Sequence, residues 1–96
     1  MNVDTQSMIV QTPEVLGGRP RIEGTRVAVR TIAILYKQGL SPEEIAGQYR
    51  HLSLAQVYAA LAYYQANQND IEADIAAEQA EYDRLAGSDN QNRKSA

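Results

Sequence analysis

Ser41-Pro42-Glu43-Glu44-Ile45-Ala46-Gly47-Gln48-Tyr49-Arg50-His51-Leu52-Ser53-Leu54-Ala55-Gln56-Val57 is the stretch that decides the fold. It holds two helix-start signals. The first has Ser41 at the N-cap, Pro42 at the first helical position and Glu44 at the third, placed to close a capping box. The second repeats the box with Ser53 and Gln56. Between them Arg50-His51-Leu52 leaves room for only a short connection. A short helix ending near Tyr49 is therefore followed by a longer one reaching about Asn67. The expected buried stripe of the longer helix is Leu54, Val57, Ala60, Leu61 and Tyr64.

Working outward, a helix from about Ala28 to Gln38 precedes this pair, with Val29, Ile32, Leu35 and Tyr36 on one face. Gly39 suits the left-handed residue that ends it, and Leu40 is placed to fold back on Leu35. Three helices with a tight connection between the second and third follow the ground plan of a helix-turn-helix domain. A fourth helix is expected from Asn69 or Asp70 to Gly87, with Ile71, Ile75, Glu78, Tyr82 and Leu85 recurring every four and three residues. Asp70, Glu72 and Asp74 suit the positive end of its dipole, and Arg84 suits the other. Residues 88–96 are polar and are expected to be disordered.

Before the helices, Met8-Ile9-Val10 and Pro20-Arg21-Ile22 read as two short extended pieces able to pair. Thr12-Pro13-Glu14 starts a single helical turn that stops at Gly17-Gly18, and Glu23-Gly24 marks a turn. The expected fold is thus mainly α: a small trihelical helix-turn-helix bundle with a short N-terminal β-arm over 7–30 and a C-terminal helix over 69–86. Residues 1–87 form one domain.

Composition narrows the function. The 96 residues are 44% hydrophobic and 22% charged, as in an ordinary globular chain, and hold no cysteine and one histidine. Thiol chemistry and multi-histidine metal sites are excluded, and no catalytic sequence motif occurs. Neither an enzyme nor a bound cofactor or metal is expected. The longest apolar run, Val57–Tyr64, falls far short of the ~18 residues of a membrane span. No basic segment leads into a hydrophobic stretch at the start, so a cytoplasmic protein is expected.

Charge is unevenly divided. Residues 1–50 carry a net +1 and residues 51–96 a net −4. Within Gly17–Arg30, however, Arg19, Arg21, Arg26 and Arg30 face a single Glu23. Such a patch, set among glycines, suits phosphate or a narrow minor groove. Arg19 and Arg26 are also placed to pair with Glu14, Glu23 or the acidic later helices, which leaves Arg21 and Arg30 as the freer pair.

On a helix-turn-helix plan, Ala55, Gln56, Tyr58 and Ala59 face outward at the start of the third helix, flanked by Arg50 and His51. Gln56 either reads adenine or simply closes its capping box, and Ser53 or Tyr58 can bond a phosphate. The third helix holds no Lys or Arg, so a purely structural role for the pair competes with DNA contact. Five of the six tyrosines lie between Tyr36 and Tyr64 and are expected in the core, with Tyr58 and Tyr63 left for an interface.

Gly17-Gly18-Arg19-Pro20-Arg21-Ile22-Glu23-Gly24-Thr25-Arg26-Val27-Ala28-Val29 resembles the signature of the family known as domain of unknown function 433. The resemblance continues through Gly39–Ile45 and Leu52–Tyr64 and spans roughly 7–75. It implies a homeodomain-like or winged-helix-like helix-turn-helix in a small prokaryotic protein. It further implies a VapB-like antitoxin encoded beside a toxin related to the PIN-domain nucleases. On that basis the helical domain binds its own operator DNA and represses its operon, with Arg19, Thr25, Arg26 and Ser53–Tyr58 at the matching positions. The C-terminal segment then occupies the toxin.

PIN-type sites are acidic, so basic groups in that segment would help, and Arg93 and Lys94 alone qualify. Alternatively Ile71, Ile75, Tyr82 and Leu85 form the toxin-binding face. A homodimer is plausible on the same plan. The rival reading is a protein-interaction module that reuses the trihelical fold without touching DNA.

Overall fold

The computed structural model describes residues 8–95, with side chains through Ala86. Strands β1 (Ile9–Val10) and β2 (Arg21–Ile22) are followed by helices α1 (Val29–Lys37), α2 (Pro42–Gln48), α3 (Leu54–Ala66) and α4 (Gln68–Ser95). The chain is mainly α with a two-stranded N-terminal arm, as its sequence predicts.

The arm is antiparallel, with Ile9 opposite Ile22 and Val10 opposite Arg21. So short a ribbon is marginal alone. Here Ile22 is fully buried among the helices, and its amide donates to the Val27 carbonyl at 2.9 Å. Between those two residues the chain reverses at Gly24, whose φ of 79° places it in the left-handed region that glycine tolerates best. Thr25 closes the turn: its hydroxyl donates to the Ile22 carbonyl at 2.8 Å and accepts from the Val27 amide at 3.0 Å. Between the strands, the predicted helical turn is replaced by a hydrogen-bonded reversal, with the Val15 amide donating to the Thr12 carbonyl at 2.9 Å, and a short segment over Leu16–Gly18 whose three residues have positive φ of 54°, 65° and 82°.

Both capping boxes form. Ser41 Oγ accepts from the Glu44 amide at 3.1 Å while Glu44 Oε1 accepts from the Ser41 amide at 2.8 Å. Ser53 and Gln56 do the same at 3.1 and 2.7 Å. Helix α1 ends in a complete Schellman motif. The Leu40 amide donates to the Leu35 carbonyl and the Gly39 amide to that of Tyr36, with Gly39 at φ 102°. Each device acts within a few residues, so each was readable from sequence.

The core joins Ile22, Val29, Ile32, Ala33, Ile45, Leu52, Val57, Ala60, Leu61, Tyr64 and Ile71. Three expectations shift. Tyr36 lies on the α1 stripe but in the last turn, where its ring passes the end of the core and reaches solvent. Leu54 is likewise exposed at the first residue of α3, whereas Ala59, expected outside, is buried.

Only Asn67 separates α3 from α4, so the fourth helix starts earlier than predicted. Ile71 anchors it in the core. Glu72 accepts from Lys37 Nζ at 2.7 and 2.9 Å and from the Tyr64 hydroxyl, tying α4 to the ends of α1 and α3. Helix α4 also continues through Gly87 to Ser95, where a stop and a disordered tail were expected. One glycine inside a helix costs only about 1 kcal/mol, and no proline follows it.

The Lys37 and Tyr64 hydrogen bonds hold the Glu72 carboxyl below its ordinary 4.5. The same hydrogen bond to Glu72 raises Lys37 above 10.5 and, together with burial, raises Tyr64 above 10.0. The Glu72 contribution to stability is present above pH 4.5 and is lost as pH falls through its lowered value. Those of Tyr64 and Lys37 are present below 10.0 and 10.5 and are lost as pH rises through their raised values. Glu72→Gln should therefore flatten both limbs of a thermal-stability profile across pH. Ile71→Ala should cost about 2–5 kcal/mol in urea unfolding.

Candidate nucleic-acid interface

The α2–α3 pair presents the surface on which a helix-turn-helix would act. Its connection is fixed by the Leu52 amide, which donates to the Tyr49 carbonyl at 2.9 Å, and by the buried Leu52 side chain. Arg50 and His51 are left exposed at the tip, with the His51 ring edge-on to Tyr49 at 6.5 Å. From there α3 turns outward a strip of Leu54, Ala55, Tyr58, Ala62 and Gln65, with Tyr58 49% exposed. The strip is uncharged and holds one large aromatic ring.

Gln56 does not join it freely. A bidentate contact to adenine uses both the oxygen and the nitrogen of the amide, and Gln56 Oε1 is already accepting from the Ser53 amide. Ser53 Oγ is engaged in the same box. Reading a base with Gln56 therefore means opening the cap, at a cost of about 1 kcal/mol. The backbone amides of Leu54 and Ala55, in the first turn, have no acceptor within the helix and point the positive end of its dipole outward.

The arm arginines divide differently from the sequence expectation. Arg19 Nε meets Asp74 at 2.6 Å, and Arg30 meets Asp74 at 3.0 Å and Glu78 at 2.8 Å. Arg21 donates to the Thr25 carbonyl at 2.8 Å and to Thr12 Oγ1 at 3.0 Å, bracing the Gly24 turn. Arg26 is exposed and forms no ion pair among the described residues. So Arg19 is locked as expected, but Arg21 and Arg30 are engaged and Arg26 is the free one. The reason is distance along the chain: the carboxylates that take Arg19 and Arg30 come from a helix 55 and 44 residues later, not from Glu14 or Glu23.

The proposed partner face divides as well. Ile71 is buried and Ile75 half-buried, so both hold α4 against the body and are not open to a partner. Tyr82 and Leu85 are exposed and, with Ala77, Arg19 and Arg30, line an open groove of about 580 Å³. Arg93 and Lys94 lie outside the described side chains. Among the described residues there is no cluster of three or more metal-ligating side chains, and no helix is long and apolar enough to cross a membrane.

Sequence reading missed the Lys37–Glu72–Tyr64 cluster and the carboxylate pair Asp74 and Glu78. The available signal was their four-residue spacing, which puts both on one face of α4.

The profile of the family described as "Protein of unknown function (DUF433)" matches residues 9–64, from β1 to the last turn of α3. A crystal structure of a DUF433 member from Anabaena variabilis ATCC 29413 is similar to this chain at 37% sequence identity with a TM-score of 0.69. The likeness covers 74% of this chain and 70% of that one. No curated protein matches. With more than half its length inside the profile and 37% identity to a solved member over 74% of its length, the chain belongs to the DUF433 family.

Proposed function

We propose that the protein is a cytoplasmic DNA-binding antitoxin and autorepressor, with the start of α3 on its own operator and the outer half of α4 on a PIN-like toxin. The observation that carries the DNA part is the opening of α3, where Ser53, Leu54, Ala55 and Tyr58 are exposed and Arg50 and His51 flank them. Open first-turn amides, two cationic or protonatable side chains and a phenol suit phosphate oxygens on either side of a groove. Arg26 adds a fourth contact from the arm. A homodimer would place two such openings on successive half-sites. The toxin part rests on the family resemblance and on Tyr82 and Leu85, large apolar side chains that the body leaves uncovered.

A second reading, a protein-interaction module without DNA binding, is favoured by one observation. Helix α3 has no Lys or Arg, and three of the four arm arginines are engaged within the chain. Fluorescence anisotropy on labelled DNA from upstream of the protein's own gene, beside scrambled DNA, separates the two. The autorepressor binds the native sequence more tightly, with log affinity falling against log salt by about 0.9 per phosphate contact. Arg26→Ala and Arg50→Ala should each reduce that slope by about 1 without unfolding the domain. Equal weak binding to both DNAs, or none, supports the interaction module. In a pull-down with the toxin, Tyr82→Asp with Leu85→Asp should abolish capture while leaving DNA binding unchanged.

A further inference from the structure

Asp74 and Glu78 meet the arm arginines much as a phosphate would: acceptor oxygens of one element on guanidinium donors of another. Asp74 Oδ1 accepts from both Arg19 Nε and Arg30 Nη1, and Glu78 takes the remaining Nη2 of Arg30. With these two carboxylates counted, the charge of Gly17–Arg30 falls from +3 to +1. The arrangement is also open to competition. Both arginines line the groove beside Tyr82 and Leu85, and the Arg19 side chain is 42% exposed. Arg30 is 16% exposed and its Nε is buried without an acceptor, so its donors are not fully satisfied by α4.

We propose that Asp74 and Glu78 are an internal stand-in for phosphate, which occupies Arg19 and Arg30 and holds the anion-binding strength of the arm in check. Helix α4 then sets how tightly the domain grips a polyanion. A change that draws these carboxylates away frees two cations, beside Tyr82 and Leu85, for a polyanion. The inference rests on the DNA-binding reading only for the identity of the polyanion.

The test is a variant series on the full chain, read by the salt concentration of elution from immobilised heparin and by affinity for a random-sequence DNA duplex. Asp74→Asn with Glu78→Gln should elute later and steepen the DNA salt slope by up to about 1.8, roughly 0.9 for each arginine released. The gain should vanish when Arg19→Ala and Arg30→Ala are added. Glu43→Gln with Asp83→Asn, an equal charge change at exposed carboxylates outside the groove that holds the arginines, should give a clearly smaller shift. Should the double variant fail to fold by circular dichroism, Glu78→Gln alone decides: it leaves Asp74 in place and should move elution in the same direction, again only with Arg30 present.

No later elution, a gain that survives loss of both arginines, or an equal gain from the Glu43 and Asp83 control overturns the inference. Binding of the wild-type chain to its own upstream DNA would still uphold the DNA reading in those cases. Arginine-dependent gain on heparin, with no duplex bound by any variant, upholds the internal anion and removes DNA as its competitor.

Discussion

One carboxylate, Asp74, accepts from two guanidinium groups that belong to different elements, and the position of α4 depends on it. Arg19 reaches it from the arm and Arg30 from α1, so a single side chain of α4 fixes three elements against each other. Ile71 supplies the apolar anchor one turn earlier, but burial has no direction of its own. The ion pairs supply the direction. The Arg30–Asp74 pair, 16% and 15% exposed, adds little net stability as a pair, yet removing one partner strands the other, whereas Arg19 is still partly in water. The constraint therefore specifies where α4 lies more than it raises the stability of the fold.

The same economy runs through the rest of the chain. Arg21 braces the Gly24 turn, Gln56 closes the α3 cap, and Ser53 shares that cap. Each is a residue type suited to nucleic acid, and each is occupied by the fold. What remains exposed is Arg26, Arg50, His51 and Tyr58, a smaller and differently placed set than charge counting along the arm indicates. The Gly24-Thr25 signature, in turn, has a structural meaning. It is the turn that brings Ile22 back to the core and lets the arm run into α1.

Legibility followed the range of the interaction. Both capping boxes, the Schellman end at Gly39 and the pairing of the two short strands were readable, because each is written within a few residues or in an apolar run that needs a partner. The buried faces of α1 and α3 were readable apart from their ends: Tyr36 and Leu54 have the right spacing but stand where the core runs out. The fate of the arginines was not. Which of four cations meets which of several carboxylates depends on how α4 crosses the arm and α1, and no local pattern encodes that crossing. For the same reason Ile71 and Ile75 looked like a free face, although they are the part of the stripe that the body already covers.

The opening of α3, with Arg26 and Arg50, is the nucleic-acid surface that we propose for this protein. Amide chemical-shift mapping on the full chain, titrated with its own upstream DNA, tests it most directly. Binding at this surface should concentrate the shifts at Arg26 and over Arg50–Tyr58, with side-chain changes at Arg50 and His51. Shifts confined to α4, or none at saturating DNA, would contradict it.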